Sequence, residues 1–344
     1  MSAAPLRVGI IGAGDFAAVC HIPGVQSHPE ARVVAVCGRR RDAARALADR
    51  FGIPDVHTDY RELCARSDID AITVVTPNVY HEEQVLAAVR HRKHVLCEKP
   101  LAMNVAEAER MLAAAEAAGV VHMVAFTYRY LYGVRELRRR VSGGEIGEPF
   151  YVRVQYDSWS GFAPDRKIGW RDQAALAGGG MLYDIGSHLF DISRFLFGSL
   201  ESVSGFRETV GPPGTAIDPD ASDDFAAAWY RHESGIRGQW FVSRVTPPFT
   251  RNGFVEVAGP CGALRASLSR GSIDVLERST PDQPEWQPIP LDPAASDGSA
   301  HGLGRMMRAF VDACLQGKPD GAHDATFHDG LAVQRAIAAV EASG

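Results

Sequence analysis

The first residues able to do chemistry form a glycine-rich loop close to the amino terminus. An apolar run from Leu6 to Ile11 leads directly into GAGDFA, a GxGxxA pattern. In such a loop the first glycine permits a tight turn, the second lets the backbone approach a pyrophosphate, and the small third residue lets the following helix pack closely on the strand. A helix is expected from about Phe16. The spacing predicts a dinucleotide-binding loop, and the alternative is a glycine turn without a ligand. The predicted contacts are Gly12, Ala13, Gly14, Asp15 and Phe16.

The end of the second predicted strand bears on the choice of nucleotide. NAD-binding domains of this type usually carry Asp or Glu there, which accepts hydrogen bonds from the ribose 2′-hydroxyl. This chain instead has Gly38 followed by Arg39, Arg40 and Arg41. A 2′-phosphate meets no like charge at a glycine, and an adjacent guanidinium binds phosphate in a bidentate manner. The sequence therefore favours NADP over NAD, with Gly38, Arg39 and Arg40 as cofactor-binding residues. If the arginines only begin a solvated helix, either cofactor binds.

Two further loops with polar residues follow predicted strands. They are Thr76, Pro77 and Asn78 with His81 after one strand, and Glu98, Lys99 and Pro100 after another. Ligands of an open parallel sheet bind at the carboxyl ends of its strands, so both loops are expected beside the dinucleotide. A lysine directly after a buried strand can have its protonation tuned by burial and by its neighbours. Glu-Lys-Pro also occurs as an ordinary turn, and only its place after a strand favours function.

A third cluster, in the second half of the chain, combines an acid, an imidazole and three glycines. Residues four apart on a helix share a face, so a helix beginning at Leu182 brings Asp184 and His188 together. Gly178 to Gly180 precede it, and their lack of bulk is expected to let a substrate or a nicotinamide approach the helix start. The alternatives are a helix cap for Asp184 and a core imidazole for His188. No third ligand has the spacing of a metal site.

The arrangement of periodic segments predicts two domains in a chain of 344 residues. Up to about residue 126, Val- and Ile-rich runs alternate with helix-period segments, which indicates βα units and a doubly wound parallel sheet. The predicted strands are Leu6 to Ile11, Arg32 to Val36, Ala71 to Val75, His94 to Cys97 and Val121 to Ala125. The predicted helices are Asp42 to Phe51, Val79 to Arg90 and Val105 to Ala118.

Beyond Phe150, longer alternating stretches indicate the antiparallel strands of one large sheet. The predicted strands are Tyr151 to Asp157, Ala226 to Arg231, Arg237 to Ser243, Phe254 to Val257 and Gly271 to Glu277. The predicted helices are Leu182 to Phe197, Leu303 to Cys314 and Gly330 to Ala342. The proline-rich stretches Gly211 to Pro219 and Pro281 to Pro293 are expected to be surface loops.

The composition excludes several classes of function. A net charge of -6 attracts neither nucleic acid nor an anionic membrane, and 46% hydrophobic with 23% charged residues is typical of a folded globular protein. No apolar run approaches the length of a membrane span, and the first predicted strand begins too early to leave room for a signal peptide. Six cysteines without a CxxC pair fit a reducing compartment. We therefore expect a cytoplasmic protein that binds small molecules.

Six motifs taken in chain order resemble one oxidoreductase family. GAGDFA, TPNVYH, HVLCEKP, GWR, GGG and DIGSHLFD are similar to those of the glucose-fructose oxidoreductase, inositol dehydrogenase and rhizopine-catabolism (Gfo/Idh/MocA) family. The resemblance implies an α/β protein with an amino-terminal Rossmann domain over 1–126. It further implies a carboxy-terminal α/β domain with an open, mostly antiparallel sheet over 127–302, and terminal helices over 303–344 that pack back on the first domain. Family members commonly pair through the open sheet, which implies a homodimer or homotetramer.

Carried over residue by residue, the resemblance assigns roles to several side chains. It implies that Lys99 is catalytic or orients the substrate, with Asp184 and His188 as its partners. Asn78, His81 and Glu98 are implied to line the ribose and nicotinamide, and Trp170 and Arg171 to reach the cofactor. NAD-preferring members of the family carry an acidic residue where this chain has Gly38, so the resemblance does not extend to a preference for NAD. The predicted substrate contacts are Lys99, Tyr128, Arg129, Tyr156, Trp159, Arg166 with Lys167, Asp184 and His188.

The predicted activity is hydride transfer between a nicotinamide and a hydroxyl-bearing or keto carbon of a sugar, keto-sugar or cyclitol. Such a site must hold the carbon against the nicotinamide and supply a group that exchanges the hydroxyl proton. We assign that proton to His188, with Asp184 favouring the imidazolium or holding the ring, and charge stabilisation to Lys99. The roles of Lys99 and His188 are exchangeable at this level. One alternative is a redox-neutral enzyme that retains its nicotinamide for elimination or glycoside cleavage. The other is a noncatalytic dinucleotide-binding regulator.

Overall fold

The computed structural model of the protein describes residues 4–163, 166–210, 221–246, 253–268, 275–292 and 302–343. The chain forms two compact units. The first comprises Met1–Phe126 and Leu303–Gln334, and the second comprises Thr127–Gly302 and Arg335–Gly344. The last helix is therefore divided between the units. No helix in the described ranges has both the length and the apolar character needed to cross a membrane.

The first unit is built on a six-stranded parallel sheet. Its strands are β1 (Leu6–Ile11), β2 (Ala31–Cys37), β3 (Asp55–His57), β4 (Ala71–Val74), β5 (His94–Cys97) and β6 (His122–Val124). They lie in the order β3-β2-β1-β4-β5-β6, with every neighbouring pair parallel. The order reverses between β1 and β4, and ligands of such sheets bind at this switch point. All five predicted strands are present. The sequence analysis missed β3, which has only three residues.

The helices of the described chain mostly follow the predicted segments. They are α1 (Ile22–Gln26), α2 (Arg41–Phe51), α3 (Tyr60–Ala65), α4 (His81–Arg90), α5 (Val105–Ala118), α6 (Tyr132–Ser142), α7 (Ala174–Ala177), α8 (Ser187–Phe197), α9 (Leu303–Gln316) and α10 (Phe327–Ser343). Local chemistry sets several ends. Asn104 caps α5 by accepting a hydrogen bond from the amide of Glu107, and Gly119 ends the same helix in the left-handed conformation.

The second unit contains an eight-stranded sheet that is mostly antiparallel, as predicted. Its strands are β7 (Tyr151–Asp157), β8 (Leu200–Glu208), β9 (Phe225–His232), β10 (Arg237–Ser243), β11 (Gly253–Gly259), β12 (Gly262–Ser267), β13 (Leu276–Thr280) and β14 (Gln283–Ile289). Their order is β14-β13-β12-β11-β7-β10-β9-β8. The parallel pair is β7 with β10.

One face of this second sheet carries the core of its unit. Alternate residues such as Val154, Trp240 and Val255 are buried, and α6 and α8 pack against strands of the sheet. Phe190 of α8 meets Trp240 edge to face, with ring centroids 5.1 Å apart. The period-two alternation predicted from the sequence follows from this one-sided burial.

The structure corrects one predicted loop and adds strands that the sequence analysis missed. The sequence predicts a surface loop at Pro281 to Pro293, yet most of this stretch forms β14. Proline is tolerated there because β14 lies at the sheet edge and needs backbone hydrogen bonds on one side only. The missed β8 lies at the other edge, and its polar sequence reflects exposure. Residues 271–274 of the predicted strand Gly271 to Glu277, and the whole predicted loop Gly211 to Pro219, lie outside the described residues.

Candidate active site

The glycine loop after β1 combines one tight contact with one open position. Gly12 has a φ of +118°, and a Cβ atom there would lie 2.2 Å from the carbonyl oxygen of Val75. No other residue type fits this conformation and this approach to the end of β4. A Cβ at Gly14 would meet no atom within 4 Å. The loop therefore leaves space above Gly14 at the switch point, and this space fits the pyrophosphate of a dinucleotide.

The segment after the glycine loop is π-helical over Ala17–His21 and continues into α1. Ala17 is completely buried, which suits close packing of the helix on the sheet. His21 ends the π segment, and it too is completely buried. Its Nε2 lies 2.9 Å from Oε1 of Glu98. His21 is not among the site residues predicted from the sequence, although a histidine within the otherwise apolar run AAVCHIPGV is a signal for such a residue.

The residues after β2 explain why glycine stands where NAD-binding domains usually carry an acid. Gly38 is buried, and a Cβ atom there would lie 2.7 Å from the Cβ of Ala13 in the glycine loop. An acidic side chain at this position would therefore displace the loop. Arg39 and Arg40 are exposed, and the guanidinium of Arg39 lies 5.7 Å from the ring centre of Tyr80. This end of β2 thus presents cations in place of a carboxylate.

His81 connects the loops that follow β4 and β5. Its Nε2 lies 2.9 Å from the carbonyl oxygen of Thr76, and its Nδ1 lies 3.0 Å from that of Pro100. The ring is completely buried, and this burial lowers the pKa of His81 although the backbone hydrogen bonds oppose the shift. Thr76 also donates a hydrogen bond of 2.7 Å to Gln84 in α4. These contacts favour a positioning role for His81 over a direct ligand contact.

Glu98 turns its carboxylate into the protein. Oε1 meets His21, and Oε2 accepts a hydrogen bond of 3.3 Å from the amide of Lys99. Burial acts to raise the pKa of Glu98, but the hydrogen bond and charge of His21 and the charge of Lys99 outweigh it, so the pKa is lowered. Glu98 is therefore an ionised group at neutral pH. Lys99 itself is 9% exposed at the end of β5.

In the second unit, five predicted site residues line one pocket. They are Arg166, Lys167, which was predicted together with Arg166, Trp170, Arg171 and Asp184. The other lining residues are Ser160, Gly169, Asp172, Gly180, Met181 and Arg244. The guanidinium of Arg171 lies 4.4 Å from the ring centre of Trp170, and its Nε is 3.6 Å from a carboxylate oxygen of Asp184. Arg166 and Arg244 both pair with Asp172. The pocket combines an aromatic surface with several groups that bind oxygen atoms.

His188 lies in a buried stack of rings. Its imidazole is 1% exposed and stacks on Tyr128, with ring centroids 4.4 Å apart. The ring of Tyr156 lies on the stack too, with its centroid 6.5 Å from that of Tyr128.

Asp184 lies in a π-helical segment, Leu182–Gly186, that precedes α8. The wider turn of this segment differs from the α-helix on which the i and i+4 prediction relies. Trp159, a further predicted contact, is 44% exposed.

At each of the three glycines before this π-helical segment, a side chain would clash with neighbouring atoms of the protein. A Cβ atom at Gly180 would lie 1.9 Å from the backbone oxygen of Asp223, and one at Gly179 would lie 2.5 Å from the Tyr183 ring. The carboxylate of Asp223 accepts hydrogen bonds from the amides of Gly180 and Leu182 at 2.7 and 2.9 Å. Internal packing therefore requires glycine here, and Gly180 also lines the pocket, so the approach of a ligand at the glycines stays a prediction.

Arg129 lies in a buried ion pair instead of on an open surface. It is 3% exposed, and its Nε donates a hydrogen bond of 2.9 Å to Asp191. A second guanidinium nitrogen contacts the other carboxylate oxygen of Asp191, and the Phe195 ring centre lies 5.2 Å from the guanidinium carbon. This arrangement favours a structural role for Arg129 over the predicted substrate contact.

Comparison with known proteins relates both halves of the chain to one group of enzymes. A family model described as "Oxidoreductase family, NAD-binding Rossmann fold" matches residues 6–126, and one described as "GFO/IDH/MocA C-terminal domain" matches residues 134–265. The 1,5-anhydro-D-fructose reductase of Ensifer adhaerens is 33% identical over 84% of this chain and 84% of its own length. The myo-inositol 2-dehydrogenase of Thermotoga maritima is 28% identical over 79% of this chain and 78% of its own.

A solved structure extends the likeness to the fold of nearly the whole chain. The complex of levoglucosan dehydrogenase with NADH and levoglucosan has a TM-score of 0.88 and 26% sequence identity. The match covers 98% of this chain and 97% of that one.

The placement of Arg129 yields a prediction about stability. Replacing Asp191 with Leu leaves a buried guanidinium unpaired and is expected to lower the free energy of unfolding by about 3–5 kcal/mol. The double variant Arg129→Met with Asp191→Leu removes both charges and is expected to recover most of that loss. Urea unfolding followed by circular dichroism measures both. An Asp191→Leu protein within about 1 kcal/mol of the wild type would contradict the structural role.

Proposed function

The chain belongs to the Gfo/Idh/MocA family of oxidoreductases, and we propose that it transfers hydride between a nicotinamide dinucleotide and a hydroxyl-bearing or keto carbon of a sugar, keto-sugar or cyclitol. It is an NAD(P)-dependent enzyme that acts on CH–OH groups; its relatives include a reductase and an inositol dehydrogenase, and the levoglucosan dehydrogenase structure contains NADH. The observation that carries the proposal is the GxGxxA loop at the β1/β4 switch point, with Lys99 at the end of the neighbouring β5.

The residues of the first unit fit a bound dinucleotide. Gly12 holds the loop against β4, Gly14 leaves open space for the pyrophosphate, and the loops after β4 and β5 lie on the far side of the switch point. We assign the pyrophosphate to residues 12–16 and the nicotinamide half to Thr76, Pro77 and Asn78. When bound, the nicotinamide supplies or accepts the hydride at its C4.

Two side chains are proposed to act on the substrate oxygen. Lys99 hydrogen-bonds that oxygen and stabilises the negative charge that develops on it. His188 takes the hydroxyl proton when the alcohol is oxidised and returns it when the carbonyl is reduced. Asp184, paired with Arg171, belongs to the pocket that binds the substrate or the cofactor. Trp170, Arg171 and Arg166 are proposed contacts from this pocket, and Tyr156 and Trp159 are proposed substrate contacts.

The activity is tested by screening sugars, cyclitols and their keto forms with the purified protein. The absorbance of the nicotinamide is measured with NAD and, separately, with NADP. With a substrate in hand, Lys99→Met and His188→Asn are each expected to lower kcat by about 100-fold or more, because each removes a group that handles the reacting oxygen. The KM for the nucleotide is expected to stay within a factor of about 3, since neither variant touches the glycine loop. Lys318→Met, at an exposed lysine of the first unit, is the control.

Two results of this experiment would overturn the assignment. Full turnover in both Lys99→Met and His188→Asn would show that the two residues do not handle the reacting oxygen. Release of sugar without net change in nicotinamide absorbance would identify the redox-neutral alternative.

We further propose that the enzyme prefers NADP to NAD. Gly38 excludes an acid next to Ala13, and Arg39 and Arg40 present their cations to solvent at the end of β2. A ribose 2′-phosphate at this position would meet guanidinium groups, which bind phosphate with two parallel hydrogen bonds. A ribose 2′-hydroxyl would find no carboxylate at the end of β2 to accept its hydrogen bond.

Replacing Arg39 tests the nucleotide preference. Arg39→Ala is expected to weaken NADP binding by about 10-fold, the equivalent of one charge-assisted contact, and to change NAD binding by less than about 2-fold. Isothermal titration with each nucleotide measures both affinities. Arg32→Ala, at an exposed arginine near the start of β2, is the matched control. Equal NADP affinity in wild type and Arg39→Ala would contradict the preference.

The open face of the second sheet is proposed to bind a second copy of the chain. This face carries a cluster of aromatic rings, Phe206, Phe225, Trp229 and Phe241, with ring centroids 6.1 to 6.3 Å apart in the contacting pairs. Trp229 is 52% exposed. Aromatic residues and arginine are enriched in interfaces, and a two-fold dimer places the same patch on both sides. Arg153 paired with Glu256, on the same face, supplies both charges for such self-complementary contact.

Disruption of this aromatic patch tests the oligomeric state. Trp229→Glu is expected to convert the homodimer or homotetramer to a smaller species, because a charge in the centre of an apolar interface is desolvated without a partner. Light scattering coupled to size exclusion measures the mass. Leu315→Glu, at an exposed position of α9, is expected to leave the mass unchanged. A wild-type monomer at micromolar concentration would refute the proposed assembly.

A cytoplasmic location is proposed from the cysteines. All six are free thiols, and all except Cys261 are buried. Unpaired cysteines are typical of reducing compartments.

A further inference from the structure

A buried acid and imidazole lie behind the proposed catalytic lysine. Glu98 precedes Lys99 in the chain and points away from solvent, where it meets His21 from the π-helical segment that follows the glycine loop. The two oxygens of Glu98 are used differently, one by the His21 ring and the other by the amide of Lys99. One carboxylate thus joins the helix after the glycine loop to the loop that carries Lys99.

The ionisation of Glu98 fixes the direction of its hydrogen bond to His21. An ionised carboxylate only accepts hydrogen bonds, so His21 donates from Nε2. Its Nδ1 has no hydrogen-bond partner among the described residues. The titratable groups that interact electrostatically with Glu98 are His21, Lys99, Cys97 at the end of β5 and His81 of α4.

We propose that His21 and Glu98 are positioning residues that hold the Lys99 loop in place and keep Lys99 in its ammonium form over the working pH range. The inference rests on the proposed role of Lys99. A carboxylate next to an amine favours the ammonium form, and the ammonium is the form that donates a hydrogen bond to the substrate oxygen. His21 is needed because a buried carboxylate without hydrogen-bond donors takes up a proton and loses its charge.

Packing alone does not account for this pair. Two ionisable groups buried together cost desolvation energy, and apolar residues of similar volume are often equally stable or more stable. The chain neighbours Ala17, Cys20 and Ile22 are buried, and the Phe16 ring centre lies 5.8 Å from that of His21. A buried acid and imidazole one residue from the proposed catalytic lysine are therefore better explained by an effect on that lysine than by a contribution to stability.

The charge of Glu98 is tested with the nearly isosteric Glu98→Gln. The side-chain amide of that variant keeps an oxygen for the Lys99 backbone N–H but carries no charge, so the ammonium form of Lys99 loses its stabilising neighbour. The alkaline limb of the pH profile of kcat is expected to move to lower pH by about one unit. The KM for the nucleotide is expected to change by less than about 3-fold, because the glycine loop is unaltered.

The hydrogen bond of His21 is tested with a pair of substitutions. His21→Leu removes the donor that helps to keep Glu98 ionised, and a protonated Glu98 no longer favours the ammonium form of Lys99. The alkaline limb of the kcat profile is therefore expected to move in the same direction as in Glu98→Gln, and by no more than in that variant. His21→Gln still offers an N–H donor and is expected to restore most of the wild-type profile. His28→Gln is the matched control, since His28 pairs with Asp312 on the same unit and contacts neither loop.

A second measurement reports the charge of Lys99 without turnover. Only the neutral amine reacts with acetic anhydride, and the chain has four lysines, Lys93, Lys99, Lys167 and Lys318. Peptide mass spectrometry therefore follows the acetylation of Lys99 against pH, with the exposed Lys318 as internal reference. Glu98→Gln is expected to move the Lys99 curve to lower pH by about one unit and to leave that of Lys318 in place.

The outcomes separate this inference from the proposed function. Unchanged kcat profiles and unchanged Lys99 acetylation curves in Glu98→Gln and His21→Leu, in proteins with wild-type circular dichroism, would overturn the inference. If Lys99→Met is inactive in the same series, the proposed function survives that result. If Lys99→Met is fully active, the proposed role of Lys99 fails, and the acetylation curves still decide whether Glu98 sets its charge.

Discussion

The close approach of the glycine loop to the end of β4 is the constraint on which the first unit depends. A side chain at Gly12 would overlap the Val75 carbonyl, and the residue has a positive φ that other residue types rarely adopt. This contact turns the chain over the sheet edge at the switch point and leaves Gly14 facing open space. Because all six strands run parallel, the loops after β2, β4 and β5 come to the same edge. The dinucleotide site of this enzyme is therefore a consequence of strand order.

Buried polar contacts then fix the positions of these loops relative to one another. The two ring nitrogens of His81 lie against one backbone oxygen of the loop after β4 and one of the loop after β5, and Glu98 joins His21 to the amide of Lys99. Polar groups in a core are stable only when they are paired, so each such contact specifies one arrangement of the loops it joins. The proposed chemistry at Lys99 thus depends on buried side chains that are not themselves proposed to handle the reacting oxygen.

In the second unit, similar contacts shape the pocket around Asp184. Asp223 binds the amides of Gly180 and Leu182, and no side chain fits at Gly180 beneath it. The π-helical turn that follows leaves Asp184 next to Arg171 and sets His188 in a stack with Tyr128. Packing therefore accounts for the glycine run, whether or not a ligand also approaches it. The aromatic patch around the exposed Trp229, by contrast, is the surface proposed to bind a second copy of the chain.

The order of elements and the residue types at the strand ends are readable from the sequence. Buried parallel strands appear as continuous apolar runs, and one-sided strands alternate, so the sequence predicts β1 and β7 with their observed bounds. Edge strands such as β8 and β14 pair on one side only and tolerate polar residues and proline, which hides them from such patterns. The partners of buried polar groups were decided by the tertiary structure alone. His21 meets Glu98 across 77 positions and Arg129 meets Asp191 across 62, and local periodicity carries no information about contacts at such separations.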